Sequence, residues 1–223
     1  MSTAASPKHR LFAELARVAK ALSHANRLEL LEFLAQGPHS VEALANASGL
    51  TVANTSRHLQ QLRHAGLVQA HPAGRHVYYE LSGDDVVGLL GALRAVAGRH
   101  LAEVDRLVET YLKVRDRLEP VPRRELLERA RRGLVTVLDV RPPEEYAAGH
   151  LPGARNVPLK DLEAHLARIE PDREIVAYCR GPHCVLAYEA VQRLRARGFR
   201  ARRLEDGLPE WRAAGLPVEG GTG

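Results

Sequence analysis

The sequence predicts two domains of different class: a mainly α domain that carries a β-hairpin, then an α/β domain built on a parallel sheet. Three observations predict this. Short helical patterns, each closed by glycine or a capping residue, fill the first third of the chain and run into a two-strand pattern. Two prolines, Pro120 and Pro122, then interrupt the chain. Beyond them apolar strands alternate with helical stretches, the order that yields a parallel sheet. With 223 residues the chain has room for two domains of about 100 residues, each with its own core. The expected division is 1–118 and 119–223.

Residues 8–36 read as helix. Leu11, Leu15, Val18, Ala19 and Leu22 recur at helical spacing, and Leu28, Leu31 and Leu34 resume after a break at Ser23-His24-Ala25-Asn26. Gly37-Pro38 stops it. Ser40 caps a short helix over 41–47, which Gly49 ends; Thr51 caps the next, over 52–65, which Gly66 ends. In that second helix Val52, Leu59 and Leu62 are expected to face the core. Strands over 67–70 and 76–81 follow, joined by a turn at Pro72-Ala73-Gly74.

A long helix is expected over 84–118. Val86, Leu90, Leu93, Ala97, Leu101, Val104, Val108 and Tyr111 step by three or four and draw one narrow apolar seam. The seam packs either on the first helix of the same chain or on a second copy, and its length favours the second copy. Leu118-Glu119-Pro120-Val121-Pro122-Arg123 reads as a stiffened linker. A helix near 125–132 precedes a strand over 134–140; a second strand, 174–178, runs straight into Cys179, and a helix over 186–197 follows, ended by Gly198.

Composition narrows the classes. There are 32 Lys and Arg against 27 Asp and Glu, a mild basic excess of +5 that suits nucleic acid without requiring it. The two cysteines, Cys179 and Cys184, exclude a disulfide framework and a four-cysteine zinc site. No apolar run reaches the length of a membrane-spanning helix, and MSTAASPKHRLF lacks the apolar core of a signal peptide. We therefore place the protein in the cytoplasm, where two close thiols start reduced.

The first half has the order helix, turn, helix, hairpin: a winged helix-turn-helix, whose second helix enters the major groove. No carboxylate occurs between Glu42 and Glu80, while Arg57, Arg63, Arg75 and four histidines do. With 27 acids in 223 residues, a gap that long is improbable by chance, and a surface that meets phosphates must exclude like charge. Candidate DNA contacts are Thr51, Asn54, Thr55, Ser56, Arg57, His58 and Gln61 on the second helix, with Arg75 at the hairpin tip. Arg can pair with guanine, Asn with adenine, and the helix start suits phosphate. Taken singly, each of these residues would also fit an ordinary solvated face.

The segments Ala21-Leu22-Ser23-His24-Ala25-Asn26-Arg27-Leu28, Leu44 to Thr51, Ser56-Arg57-His58-Leu59-Gln60-Gln61-Leu62 to Val68 and Gly74-Arg75-His76-Val77-Tyr78-Tyr79 resemble the ArsR/SmtB family of bacterial repressors. The resemblance covers about residues 8–115. It implies a homodimer on double-stranded operator DNA that is released on sensing a metal or redox signal. The family's thiolate site lies on the helix before the recognition helix, and here Ser40-Val41-Glu42-Ala43-Leu44-Ala45 has no cysteine. His100 and Glu103 have a ligand-like spacing, but the family's Asp-x-His partner is absent at Asp84-Asp85-Val86. That pair reads as a polar helix face, so neither a metal nor another cofactor is expected.

In the second half, Cys179 falls at the carboxyl end of a strand, facing a loop and a helix amino end. Such a place stabilises a thiolate or an anionic sulfur adduct. Val137 to Tyr146, Gly149-His150-Leu151-Pro152-Gly153-Ala154 to Leu159, Ile175 to Gly181 and Asp206-Gly207-Leu208-Pro209-Glu210-Trp211 resemble a rhodanese, or sulfurtransferase, domain over about residues 122–219. The resemblance implies sulfane-sulfur transfer through a Cys179 persulfide. Candidate catalytic residues are Cys179, Arg180, His183 and Cys184; Gly181, Asp139, Arg141, Glu145 and His150 are expected to support the loop. The loop Cys179-Arg180-Gly181-Pro182-His183-Cys184 departs from the family's usual pattern, which puts simple thiosulfate turnover in question. Cys184 reads either as a resolving thiol that closes a disulfide or as a small apolar filler. His183 either steers a proton or an anion or is merely solvated.

The expectation is a regulator, of repressor type, whose second domain receives a sulfur signal from a small donor or persulfide. Two alternatives stand beside it: a working sulfurtransferase fused to a DNA-binding module, and an arsenic-responsive regulator.

Overall fold

The structure is a computed structural model that describes residues 6–113, 120–166 and 172–220. Its contacts divide the chain into Met1–Val86 and Val87–Gly223. The division expected between residues 118 and 119 lies outside the described residues.

In the first unit, α1 (Pro7–Leu22) and α2 (Ala25–Leu34) replace the single interrupted helix. Helix α3 (Val41–Ser48) is capped by Ser40, whose Oγ accepts from the Ala43 N–H, and ends at Gly49 with φ +67°. Helix α4 (Val52–His64) is capped by Thr51 through the Asn54 N–H. Strands β2 (Val68–Ala73) and β3 (His76–Leu81) form the hairpin, and β1 (His39–Ser40) adds a third antiparallel strand beside β3. The turn is tighter than expected. Ala73 already pairs with His76, and Gly74 bridges them at φ +61°. Leu30, Leu31, Leu34, Leu44, Leu59 and Leu62 are nearly fully buried and form the core. Arg27 of α2 is buried too; it donates to the carbonyls of Lys20 and Ala21 at the end of α1 and to Gln61 Oε1 of α4 at 2.6 Å. Its charge thus meets the carbonyl end of one helix and fixes a second.

Helix α5 (Asp85–His100) starts in the first unit and continues in the second. The long uninterrupted helix is not formed. Leu101 has an extended backbone (φ −114°, ψ 99°) and precedes α6 (Ala102–Leu107) and a π-helical turn, Val108–Lys113. Gly88, Gly91 and Gly98 weaken α5, since glycine costs about 1 kcal/mol relative to alanine in a helix. Residues 114–118 of the expected helix lie outside the described residues.

The rest of the second unit holds a parallel sheet in the order β5 (Arg155–Asn156), β4 (Val135–Asp139), β6 (Glu174–Tyr178), β7 (Ala201–Arg203). Helices α7 (Arg123–Arg131), α8 (Pro143–Ala148), α9 (Leu162–His165), α10 (Val185–Ala196) and α11 (Leu208–Ala213) accompany it. Two apolar clusters pack in this unit. One gathers Leu138, Ile175, Ala177, Cys179, Ala190, Val191 and Leu194; the other gathers Val121, Leu126, Val176, Tyr178, Leu204, Leu208 and Trp211. Along β6 the residues alternate between the two clusters, as the two-residue period of a strand covered on both faces requires.

Candidate functional site

The loop 179–184 runs from the end of β6 to the start of α10, so the sheet delivers Cys179 and the helix begins beside Cys184. Below it lies a buried polar anchor. Asp139 and Arg141 are fully buried and pair through Nε–Oδ1 at 3.0 Å and Nη2–Oδ2 at 2.5 Å. Arg141 also donates to the Gly149 carbonyl at 2.7 Å, and Tyr178 donates its hydroxyl to Asp139. Burial works most strongly against the Arg141 charge, but the hydrogen bond and charge of Asp139, with Tyr178 and Glu145, together outweigh it and hold the pKa above its ordinary value. This anchor fastens the ends of β4 and β6 from which the loop departs.

Glu145, also buried, takes the Arg180 guanidinium, with Nε–Oε1 at 3.0 Å and Nη2–Oε1 at 2.5 Å. Arg180 therefore brings a charge that is already partnered, where the sequence suggested a cation directed at Cys179. His150 stacks on Tyr146 at 3.7 Å and shares a hydrogen bond with its carbonyl, which supports the turn after α8. His183 is exposed on the loop. Partial burial and the guanidiniums of Arg94 and Arg203 lower its pKa, against an opposing effect of Glu210.

Both thiols are buried, Cys179 at 2% exposure and Cys184 at 8%. The single S–H of Cys179 has three alternative acceptors in reach, the carbonyls of Cys184 (3.4 Å) and Gly181 (3.8 Å) and the Cys184 sulfur. Burial and the neighbouring sulfur push Cys179 well above the ordinary thiol range. Cys184 is lowered, first by the hydrogen bond from Cys179, then by the N–H groups of Leu186 and Arg180 and the Arg180 charge. Of the two thiols, Cys184 is thus the one whose ionised form the surroundings favour. The sequence places a stabilised thiolate at Cys179; in the structure the lowered thiol is Cys184, chiefly through its hydrogen bond with Cys179.

Sequence reasoning missed Gly207 and Glu210 as part of this site. A Cβ on Gly207 would stand 2.4 Å from the Arg180 carbonyl and 2.5 Å from the Gly181 nitrogen, so only glycine fits against the loop backbone. Gly207 donates its N–H to Glu210 Oε2 at 3.1 Å. The Asp206-Gly207-Leu208-Pro209-Glu210-Trp211 motif carries the signal as part of the rhodanese resemblance, which by itself gives neither residue a role at the loop.

On α4 the candidate DNA contacts separate. Thr51, Asn54, Arg57 and Gln61 are exposed, Ser56 is half-buried, and Arg75 is exposed next to the Gly74 turn. Thr55 and His58 turn inward instead. Thr55 is fully buried and donates its hydroxyl to the Thr51 carbonyl at 3.0 Å, while His58 packs against the His24 ring at 4.6 Å. Val52 is 50% exposed, contrary to expectation. The buried stripe runs through Thr55, His58, Leu59 and Leu62, and the first turn of α4 stays outside it.

Two family models match the chain: the arsR family of bacterial regulatory proteins over residues 24–70, and the rhodanese-like domain over residues 123–214. The HTH-type transcriptional regulator Rv0324 of Mycobacterium tuberculosis is 46% identical over 215 residues, which span 96% of this chain and 94% of that one. The chain belongs to the ArsR family of regulators, in a form that carries a rhodanese domain. Such an ArsR-family regulator binds DNA through its winged helix-turn-helix. A sulfurtransferase of Allochromatium vinosum is 33% identical over 85 residues, 38% of this chain and 78% of its own. The homodimeric winged helix-turn-helix domain of a possible ArsR-family regulator from Mycobacterium bovis is 40% identical, with a TM-score of 0.41, and covers 45% of this chain and 94% of its own. Among the described residues no helix is long and apolar enough to cross a membrane, and no group of three or more His, Cys, Asp or Glu is placed to hold a metal ion.

Proposed function

We propose that this ArsR-family regulator acts as a cytoplasmic homodimer whose operator affinity is set by reactive sulfur arriving at Cys179. One observation carries the reading: every thiol of the chain lies in one loop of the rhodanese unit, with the two sulfurs hydrogen-bonded, and none lies in the DNA-binding unit. Residues 1–118 serve as the DNA-binding and dimerising half, and 119–223 as the receiving half. Leu11, Phe12 and Leu15 of α1, and Leu89, Leu93 and Val96 of α5, are apolar and open to solvent in the single chain, which supports burial against a second copy.

The chemistry uses the contact between the two thiols. Cys184 takes the proton of Cys179 as the Cys179 sulfur attacks the outer sulfur of a low-molecular-weight persulfide, R–S–SH. A Cys179 persulfide forms, the S–S bond of the donor breaks, and R–S⁻ leaves. Once deprotonated again, Cys184 attacks the inner sulfur of that persulfide. A Cys179–Cys184 disulfide forms and HS⁻ leaves, so two thiols are oxidised and one sulfane sulfur is reduced to sulfide. Exposed Asn54, Arg57 and Gln61, with Thr51 and Ser56 at the helix start and Arg75 on the wing, read the operator.

The test compares operator binding before and after inorganic polysulfide, in wild type and Cys179→Ser, with mass spectrometry of the loop peptide. Loss of response in Cys179→Ser is expected; unchanged affinity in a sulfur-loaded wild type refutes the switch. The similarity to a sulfurtransferase favours a second reading, in which the same loop passes sulfur on to an acceptor. Multiple turnover from polysulfide to cyanide, abolished in Cys179→Ser, would support it.

A further inference from the structure

We infer that Glu210 and Arg94 form a positioning pair that ties the sulfur loop to helix α5, and that a change in the loop reaches the DNA-binding half through it. The inference rests on the sulfur-responsive reading above and adds the route by which the signal leaves the loop.

The route starts at Gly207. Its α-carbon lies so close to the Arg180–Gly181 peptide that a methyl group there would overlap the backbone. The loop therefore rests on residue 207 with no slack. From Gly207 the contact passes to Glu210 on α11. Glu210 Oε2 accepts from the Gly207 N–H at 3.1 Å, and a Cβ on Gly181 would meet the same carboxylate at 3.7–3.8 Å. The carboxylate is thus bonded to the floor of the loop and lies beside the loop itself. Its other oxygen, Oε1, accepts from Arg94 Nη1 at 2.9 Å. Arg123 holds the same segment from another side, donating to the Glu210 carbonyl at 3.2 Å and pairing with Asp206 at 3.2 Å.

Arg94 stands on α5, and α5 crosses the division of the chain: Asp85 and Val86 belong to the first unit, the remainder to the second. The side chains of the pair are only 23% and 15% exposed, so solvent screens it less than a typical surface ion pair. One face of the same helix presents Leu89, Leu93 and Val96, the surface assigned above to the second copy. A sulfur added at Cys179, or a Cys179–Cys184 disulfide, alters the 179–184 loop. Gly207 gives no room to absorb the change, so the Glu210 carboxylate moves and α5 loses or shifts its anchor.

The test uses the full chain, inorganic polysulfide as donor, and a duplex selected from random DNA by the unmodified protein. Wild type, Arg94→Gln, Glu210→Gln and the conservative variant Arg94→Lys are compared. Two quantities are read for each: sulfur loaded on the loop peptide, and the polysulfide-induced change in Kd. A tenfold or larger change is expected in wild type. Arg94→Gln and Glu210→Gln should load sulfur fully yet change Kd less than threefold, and Arg94→Lys, which keeps a cation opposite Glu210 and leaves the Gly207 N–H its acceptor, should keep most of the response. A merely structural role would lower unmodified binding or loading and would not follow the charge at residue 94. Arg94→Gln and Glu210→Gln variants that load and respond like wild type overturn this inference and leave the sensing reading intact. A wild type that loads sulfur without any change in Kd overturns both. Glutamine variants that fail to fold, with an Arg94→Lys variant that folds but stays unresponsive, also overturn the inference.

Discussion

Arg141→Met tests the buried anchor beneath the 179–184 loop. Methionine matches the apolar stem of arginine but removes the charge and its donors. Lost are the bonds to Asp139 at 3.0 and 2.5 Å and the bond to the Gly149 carbonyl at 2.7 Å. Asp139 keeps the Tyr178 hydroxyl and the residue 141 N–H, yet remains a fully buried carboxylate without a countercharge. Breaking a buried ion pair from one side costs about 3–5 kcal/mol. With a urea dependence of about 2 kcal/mol per molar for a unit of this size, the midpoint falls by about 1.5–2.5 M. The chain supplies its own probe. Trp211 is its one tryptophan, is 1% exposed, and sits in the same unit, so its fluorescence follows that unit while the helical signal of the first unit is read separately. The double variant Asp139→Leu with Arg141→Met removes both charges and should unfold nearer to wild type than Arg141→Met alone. A loss below about 1 kcal/mol in Arg141→Met, the size of an exposed ion pair, would refute the anchor.

Three other predictions concern the two sites. Cys184→Ser removes the thiol whose pKa is lowered and leaves buried Cys179, whose pKa is raised, so alkylation of the loop should need a higher pH than in wild type; superimposable pH–rate profiles would contradict that order of the two thiols. Arg57→Ala should weaken operator binding by about 1–3 kcal/mol without changing the melting of the first unit, whereas Thr55→Val should leave DNA contacts alone, as titration of the selected duplex would show. His58 has its pKa lowered, chiefly by burial, so the unfolded chain binds its proton more readily than the folded one. The stability it allows is present above about pH 6.5, the ordinary histidine value, and is lost as pH falls through the lower folded value. Thermal melts of the first unit should lose part of this acid sensitivity in His58→Phe, and an unchanged pH dependence would rule the histidine out.

Much of both folds was legible in the sequence because capping residues and glycines mark element ends by local chemistry. Ser40, Gly49 and Thr51 bound their helices as expected. The expected strands over 134–140 and 174–178 are found as β4 and β6, because apolar runs of that length between breakers have few other uses. The remainder depended on partners distant in sequence. Strands β1 and β5 are two residues long and carry no period. Thr55 and His58 look polar as letters, but their helical phase with Leu59 and Leu62 sends them inward. Arg180 was read beside Cys179, its neighbour, while the folded chain pairs it with Glu145, 35 positions away. The tie between Arg94 and Glu210 spans 116 positions, and neither residue lies in a motif that names the other.

The burial of both sulfurs has a consequence in time. If sulfur arrives at Cys179 as proposed, a donor in water cannot strike a residue that is 2% exposed until the loop opens, so the rate of reaction is the intrinsic rate multiplied by the fraction of molecules open at any instant. Each 1.4 kcal/mol of opening cost slows capture about tenfold, as an equilibrium constant of that size requires. A brief pulse of donor then leaves most loops unmodified, while a sustained low level marks them steadily. On the proposed reading the loop would respond to accumulated exposure rather than to momentary concentration, and mutations that loosen it would shorten its averaging time.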